Sequence, residues 1–233
     1  MRVEPISSVV VAVPAKNEAE LVGACLHSIE RAVAAAQTSR GVTVRTVVTL
    51  DGCTDETALV ATAAGVATVV TDHVGVGLAR DAAIGTGLRA LGSPARRLTW
   101  IACTDADTVV PPDWLCAQLR HADDGVDALL GTVQPATAPT QRSGAWHEHH
   151  RLVEGHDHIH GANLGLRASA WAEAGGFGPL RVHEDVDLVS RVRRGPFRVA
   201  ATDTTRVTTS ARPRSRVTGG FADYLRVLGE ARP

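Results

Sequence analysis

The sequence predicts an α/β fold in which a mostly parallel sheet is flanked by helices. Four apolar runs of strand length occur before residue 104, and three segments of helical character separate them. The runs are almost wholly apolar, which is typical of strands buried on both faces. Strands and helices that alternate in this way favour a parallel sheet with right-handed crossovers.

Each element follows from an apolar pattern and the residues that interrupt it. Pro14 is expected to end the first strand, Asn17 to cap the first helix, and Asp55 to cap the second. The predicted N-terminal strands are 9–13, 44–50, 66–71 and 98–103, and the helices between them are 18–37, 56–64 and 78–91. Beyond Pro111 the expected elements are a helix at 113–121, strands at 128–134, 197–200 and 206–209, a short apolar segment at 164–166, and a helix starting near residue 184.

Size and charge limit the classes of protein. The chain has 233 residues, which fits one domain, and we expect a nucleotide-binding half at about 1–110 and an acceptor-binding half at about 111–233. The net charge of −1 argues against a nucleic-acid partner, because no basic excess is present to neutralise phosphates.

Cysteine spacing and apolar runs bear on the compartment. The four cysteines lack C-x-x-C spacing and are expected to be free thiols. No apolar run reaches the roughly 20 residues of a membrane span. We therefore expect a cytoplasmic protein without a transmembrane segment, and peripheral membrane contact is left open.

Polar residues follow three of the predicted strands directly. Asn17 follows the first, Asp51 the second, and Asp105 with Asp107 the fourth. Because ligands of parallel α/β sheets bind at the carboxyl ends of the strands, these side chains should converge on one cleft. Two carboxylates one residue apart suit a hard divalent cation that shares its coordination with water and phosphate.

Five short segments, in this order along the chain, resemble the motifs of family 2 glycosyltransferases with the GT-A fold. The segments are Val-Pro-Ala-Lys-Asn-Glu at 13–18, Leu-Asp-Gly-Cys-Thr-Asp at 50–55, Ala-Arg-Asp at 79–81, Thr-Asp-Ala-Asp at 104–107 and His-Glu-Asp at 183–185. The resemblance extends from residue 9 to about residue 200 and implies a nucleoside-diphosphate sugar as donor and a hydroxyl group as acceptor.

The resemblance also implies roles for individual residues. Asp107 is expected to bind Mn²⁺ or Mg²⁺, and Asp105 either assists it or contacts the ribose. Arg80 is expected near the base and ribose, with a surface helix arginine as the alternative. The residues expected to bind the nucleotide are Pro14, Ala15, Asn17, Glu18, Asp51, Arg80 and Asp105.

The same resemblance assigns the chemistry to the second half of the chain. Asp185 is expected to be the general base of an inverting displacement. The acceptor-binding candidates are Gly161, Asn163, His183 and Glu184. The Q-x-x-R-W motif of processive relatives does not follow Asp185, so transfer of a single sugar is favoured. No histidine follows His183, so the late histidine ligand of some GT-A enzymes has no counterpart.

Two further clusters have more than one interpretation. Six histidines lie in the expected acceptor loop, at positions 147, 149, 150, 156, 158 and 160. Those at 156, 158 and 160 alternate, so they share one face and suit either a zinc ion or contacts to an acceptor phosphate or carboxylate. Arg212, Arg214 and Arg216 form either a clamp on the donor diphosphate or a solvated tail.

Three other functions share part of this sequence pattern. Asp105-x-Asp107 after an apolar strand also matches haloacid-dehalogenase-type phosphatases, but there the motif follows the first strand and a later lysine is needed. A sugar-phosphate nucleotidyltransferase needs a glycine-rich loop, which is missing near Val13. A non-catalytic nucleotide-sugar-binding protein is the third, and the joint presence of Asp51, Asp107 and Asp185 argues against it.

Overall fold

A computed structural model describes residues 4–136 and 152–212 of the chain. Within these residues it contains eight strands and six α-helices. The strands are β1 (Ser8–Ala15), β2 (Thr43–Asp51), β3 (Ala67–Thr71), β4 (Thr99–Cys103), β5 (Thr108–Val109), β6 (Ala128–Pro135), β7 (Leu164–Arg167) and β8 (Val199–Thr209). The helices are α1 (Val22–Arg40), α2 (Thr57–Ala63), α3 (Val76–Ala90), α4 (Trp114–Asp123), α5 (Ala168–Glu173) and α6 (Glu184–Arg194).

All eight strands belong to one sheet, in the order β3-β2-β1-β4-β7-β6-β8-β5. The first four strands of that order are parallel to one another, as predicted. The sheet changes character at β7, which runs antiparallel to both β4 and β6, while β6 and β8 are parallel. The α/β fold with helices on both faces is therefore confirmed, and the sheet is continuous from the first half of the chain into the second.

The two faces of the sheet carry separate apolar cores. Alternate side chains of β1 divide between them: Val11 and Val13 pack against α1 and α4, whereas Ala12 lies on the side of α3 and α6. The four N-terminal strands lie within two residues of their predicted limits because this buried β-branched pattern is unambiguous. No helix in 4–136 or 152–212 combines the length and apolar character needed to cross a membrane.

Pro14 does not end the first strand, contrary to the prediction. It stays in register with Thr49 of β2, and β1 continues to Ala15. On its other side β1 pairs with β4 only up to Ala12, whose carbonyl accepts from the Thr104 amide. The imino nitrogen of Pro14 faces the β4 side, where the pairing between β1 and β4 has already ended. The missing N–H therefore costs no hydrogen bond between strands.

The first helix begins at Val22, four residues later than predicted, and Asn17 does not cap it. Asn17 has a φ of 55°, a left-handed conformation that asparagine tolerates better than most residues. The segment from Lys16 to Leu21 is thus an extended turn rather than helix. Asp55 is not the N-cap of α2, which is Glu56, but from one position earlier its Oδ1 accepts from the amide of Thr57, the first residue of the helix.

The C-terminal half contains the other errors of prediction. The two strands expected at 197–200 and 206–209 are one strand, β8, whose pairing with β6 shifts register between Gly131 and Val133. The polar residues at 202–206 obscure this continuity in the sequence. Helix α5 and the two-residue strand β5 were not predicted. All four cysteines are free thiols, as expected.

Candidate active site

Asp51 ends β2 and holds the loop that leads into α3. Its Oδ1 accepts from the Thr71 hydroxyl at 2.8 Å and the Val74 amide at 2.9 Å, and its Oδ2 accepts from the Gly75 amide at 3.1 Å. The carboxylate is buried. Asp51 therefore fixes where α3 begins, and its remaining lone pairs are what it can offer a nucleotide base.

The turn after β1 is fastened to the segment after β2. Oδ1 of Asn17 accepts from the Thr54 amide at 2.7 Å, and the Glu18 amide donates to the Thr57 hydroxyl at 2.7 Å. Pro14 and Ala15, at the end of β1, are buried beside this junction. The two sequence segments expected to bind the nucleotide are thus neighbours in space.

The two aspartates after β4 have different partners. Asp105 Oδ1 lies 2.6 Å from Arg80 Nη2. Asp107 Oδ2 lies 3.2 Å from Arg212 Nη2, and its Oδ1 accepts from the Thr209 hydroxyl at 3.3 Å. Burial, together with the neighbouring carboxylate of Asp105, raises the pKa of Asp107 to about 6.

Arg80 is a buried bridge and not a surface residue of helix α3. Its side chain is only 3% exposed, and its guanidinium pairs with both Asp105 and Glu184. The guanidinium also lies over the ring of Phe177, 5.7 Å from the centroid. Arg80 therefore joins the Asp-x-Asp segment to the start of α6, a connection that no spacing in the sequence indicates.

Glu184 is buried and pairs with Arg80. This geometry disfavours the predicted direct contact between its carboxylate and the acceptor. Burial raises the pKa of Glu184, and Arg80 opposes that rise. His183, the residue before α6, is exposed and has a φ of 61°. Of these two acceptor candidates, only His183 presents its side chain to solvent.

Asp185 and Gly161 are in direct contact. Asp185 Oδ2 accepts from the Gly161 amide at 2.6 Å, and the residue is partly exposed at the first turn of α6. A Cβ at Gly161 would lie 2.5 Å from Nη2 of Arg80. Glycine at this position therefore lets the backbone, the predicted base and the arginine bridge approach one another.

Asn163 is buried, and its side-chain amide makes hydrogen bonds within the protein. Its Oδ1 accepts from the Trp114 indole at 2.9 Å, and its Nδ2 donates to the carbonyls of Thr132 and Thr205 at 2.8 and 2.7 Å. The side chain is buried, so the expected acceptor contact does not fit it. We interpret Asn163 as a residue that joins α4, β6 and β8 beneath the site.

The histidines at 156, 158 and 160 share one face, as predicted. Their rings stack in sequence, with centroids 5.7 Å apart for the first pair and 6.1 Å for the second. No group of three or more His, Cys, Asp or Glu side chains suited to a metal ion occurs in the part of the chain that the structure describes. The zinc interpretation therefore has no support from His156, His158 and His160. His147, His149 and His150 lie outside the described residues.

Arg212, which the sequence allows as either a diphosphate clamp or part of a solvated tail, lies inside the site. It forms a two-pronged contact with Glu18, with Nη1 and Nη2 at 2.8 and 2.7 Å from the two carboxylate oxygens, and it reaches Asp107 as well. Arg214 and Arg216 lie outside the described residues. Sequence reasoning missed the pairing because Glu18 and Arg212 are 194 positions apart.

Two groups of ion pairs, one around Arg80 and one around Arg212, adjoin at the Asp-x-Asp segment on the carboxyl edge of the sheet, and the site includes Asp185 as well. Its acidic members are Glu18, Asp105, Asp107, Glu184 and Asp185, and its basic members are Arg80 and Arg212. Acidic groups are in excess, so the site suits a cation better than a bare diphosphate. Asp107, with Asp105 nearby, offers the oxygen ligands that Mg²⁺ and Mn²⁺ prefer, provided that phosphate and water complete the coordination.

The sequence comparison settles the family. Residues 10–168, more than half of the chain, match the profile described as Glycosyl transferase family 2. The chain belongs to this family. Membership decides against the phosphatase and nucleotidyltransferase alternatives. No curated protein matches the chain in sequence.

Solved structures of glycosyltransferases share the fold. The mannosyltransferase PcManGT of Pyrobaculum calidifontis, in complex with GDP-Man and Mn²⁺, has a TM-score of 0.64 and 19% identity over 91% of this chain and 59% of that chain. TarS of S. aureus in complex with UDP has a TM-score of 0.61 and 14% identity over 88% and 61%. Glucosyl-3-phosphoglycerate synthase of M. tuberculosis, with Mn²⁺, uridine-diphosphate and glucosyl-3-phosphoglycerate, has a TM-score of 0.59 and 16% identity over 97% and 76%.

These likenesses establish the GT-A-type fold of the family 2 chain. This chain spans about three-fifths of the length of the TarS and PcManGT chains. The family and the fold that the sequence motifs implied are both confirmed.

Proposed function

We propose that this family 2 protein transfers one sugar from a nucleoside-diphosphate sugar to a hydroxyl group of an acceptor, with inversion at the anomeric carbon. The observation that carries the proposal is the Arg80 bridge between Asp105 and Glu184. Through it the segment expected to hold the donor adjoins the residue expected to be the base. TarS and the synthase, each solved with UDP, and PcManGT, solved with GDP-Man, are consistent with such a donor.

The donor would lie across the ends of β1, β2 and β4. The fastened turns at Asn17 and Asp51 would form the walls of a nucleoside pocket. A pocket held by hydrogen bonds between its own walls loses little entropy when a ligand binds.

A divalent cation fits the donor side of the site. Asp107, assisted by Asp105, would hold it, and when bound it would supply positive charge to the departing diphosphate. Two neighbours of the same fold contain Mn²⁺ with their nucleotides.

Asp185 would act as the general base. Its Oδ2 is oriented by the Gly161 amide and its Oδ1 by the Val186 amide, which leaves the carboxylate fixed but partly exposed. The acceptor oxygen would attack the anomeric carbon as the bond from that carbon to the diphosphate oxygen breaks, and the hydroxyl proton would pass to Asp185. One displacement of this kind inverts the configuration.

A donor screen tests the proposal first. Purified protein is titrated with UDP, GDP and their common sugar conjugates, with and without Mn²⁺ or Mg²⁺, by calorimetry and thermal shift. We expect one diphosphate class to bind only with metal and Asp107→Ala to weaken that binding. If no nucleotide binds under any metal condition, the proposal is wrong.

The role of Asp185 has its own test and a matched control. Asp185→Asn should lower kcat for transfer, or for hydrolysis of the donor by water, about 10²–10⁴-fold and leave donor affinity within twofold. Asp187→Asn is the control, because Asp187 lies two residues further along the same helix. Its carboxylate pairs with Arg191 at 2.8 Å, whereas that of Asp185 contacts Gly161. Equal loss in both variants would contradict a specific role for Asp185, and a donor that binds without any turnover would indicate a non-catalytic binder.

A further inference from the structure

The end of β8 delivers an arginine to the carboxylates of the donor site. Thr209 pairs with Thr108 of β5, and the Ser210 amide donates to the Asp107 carbonyl at 3.1 Å. This backbone pairing fixes the chain beside the Asp-x-Asp segment only two residues before Arg212. The position of Arg212 is therefore set by sheet structure and not by its side chain alone.

The guanidinium of Arg212 lies against Oδ2 of Asp107, the oxygen that is available to bind a cation. Oδ1 of Asp107 already accepts from the Thr209 hydroxyl, and Oδ2 faces Arg212 at 3.2 Å. Arg212 also binds both oxygens of Glu18, whose side chain is 8% exposed. Since carboxylates buried without a counter-charge are costly, Arg212 stabilises Glu18 and Asp107 by pairing with them.

We propose that Arg212 supplies the positive charge beside Asp107 and competes directly with the divalent cation for this carboxylate. The inference rests on the proposed function, because it assumes that Asp107 is a metal ligand. A divalent cation and a guanidinium that both contact Oδ2 of Asp107 repel each other at close range. Binding of the metal therefore favours withdrawal of Arg212 from Asp107, and the apparent metal affinity is reduced by the free energy of the contact that is lost.

The competition has a functional meaning for the order of binding. Free metal has to displace Arg212 without compensation, whereas a metal that arrives with a diphosphate offers Arg212 new anionic oxygens. The site should therefore bind Mn²⁺ weakly by itself and much better together with a nucleoside diphosphate.

The experiment measures Mn²⁺ binding in the absence of nucleotide. Free Mn²⁺ is followed by electron paramagnetic resonance while the wild-type chain, Arg212→Ala and Arg206→Ala are titrated. We expect Arg212→Ala to bind Mn²⁺ at least tenfold more tightly than wild type. Arg206→Ala is the matched control, because this arginine lies on β8, six residues before Arg212, and pairs with Asp203, outside the donor site.

A second variant guards against loss of folding. Arg212→Gln keeps hydrogen-bond donors for Glu18 but removes the charge, and it should also bind Mn²⁺ more tightly than wild type. Mn²⁺ affinities of Arg212→Ala and Arg212→Gln within twofold of wild type, or no detectable binding by either folded variant, would overturn the inference. Failure of the proposed function is distinguishable, because then wild type binds no nucleoside diphosphate even with Mn²⁺ present.

Discussion

At the scale of single residues, the site depends on arginines that are buried among carboxylates. Arg80 pairs with Asp105 and Glu184, and its Nε has no hydrogen-bond partner among the described residues. Removing one partner of a buried ion pair is more damaging than removing both, because the remaining charge is left without compensation. Arg80 is therefore a positioning residue as well as a candidate for donor binding.

A double-mutant cycle tests this reading of Arg80. Arg80→Met should lower the free energy of unfolding by about 3–5 kcal/mol, because Asp105 and Glu184 lose their shared counter-charge. Adding Glu184→Gln should recover part of that loss, with a coupling of about 1–3 kcal/mol measured by urea denaturation. Arg40→Met is the control: Arg40 pairs with Asp123 at 2.5 Å in a more exposed setting and should lose about 1 kcal/mol or less. Additive effects of the Arg80 and Glu184 changes would exclude the bridge.

At the scale of elements, helix α3 lies directly on β1 and β2. Gly85 and Gly87 are two residues apart in this helix but have different surroundings. A Cβ at Gly85 would meet only the flexible end of Arg89, at 3.3 Å, whereas a Cβ at Gly87 would lie 2.5 Å from Cγ1 of the buried Val10. Close approach of the helix to the strand explains the second glycine and not the first.

The two glycines should respond to alanine with opposite signs. Gly85→Ala should raise the free energy of unfolding by about 0.5–1 kcal/mol, because alanine has the higher helix propensity. Gly87→Ala should lower it by about 1–3 kcal/mol, since the added methyl overpacks the contact with Val10. Thermal or urea denaturation of the two variants compares them within one helix. Stabilisation by Gly87→Ala would mean that α3 is farther from β1 than described.

Strand β8 carries an acid whose ionisation stabilises the fold. Burial would raise the pKa of Asp203, but hydrogen bonds from Arg206 and Thr132 outweigh it and hold the pKa below its ordinary value of 3.8. A depressed pKa in the folded state means that the stabilisation is complete above the ordinary pKa and is lost as the pH falls through the folded value.

Asp203→Asn should therefore destabilise the protein in a pH-dependent way. Near pH 7 the loss should be about 1 kcal/mol, and it should shrink as the pH falls below about 4. Urea unfolding of wild type and variant across this range measures the difference. Asp72→Asn, at a carboxylate that is 96% exposed, is the control and should show little change. A loss that stays constant with pH would contradict the ion pair as its source.

At the scale of the whole molecule, local patterns predicted the N-terminal half well and the charged contacts poorly. The parallel strands and the polar residues at their ends follow from short, uninterrupted apolar runs around Val11 and Ile101. Arg80 and Glu184 are separated by 104 positions in the sequence, and Glu18 and Arg212 by 194 positions. No periodicity in the sequence encodes such distant pairs. The early start expected for α1 failed because Asn17 adopts a left-handed turn conformation that outweighs its capping propensity.

The Arg80 bridge also restricts how the halves of related enzymes can be recombined. A chimera that keeps residues 1–110 and takes its acceptor side from another family 2 protein would retain Arg80 but replace Glu184 and Gly161. An incoming segment without an acid at position 184 would leave the guanidinium of Arg80 without one of its two ion-pair partners. Any side chain at position 161 would clash with that guanidinium. Under the proposed assignment of acceptor binding to the second half of the chain, acceptor specificity should be exchanged through the residues before position 161, with the stretch from Gly161 to Asp185 left in place.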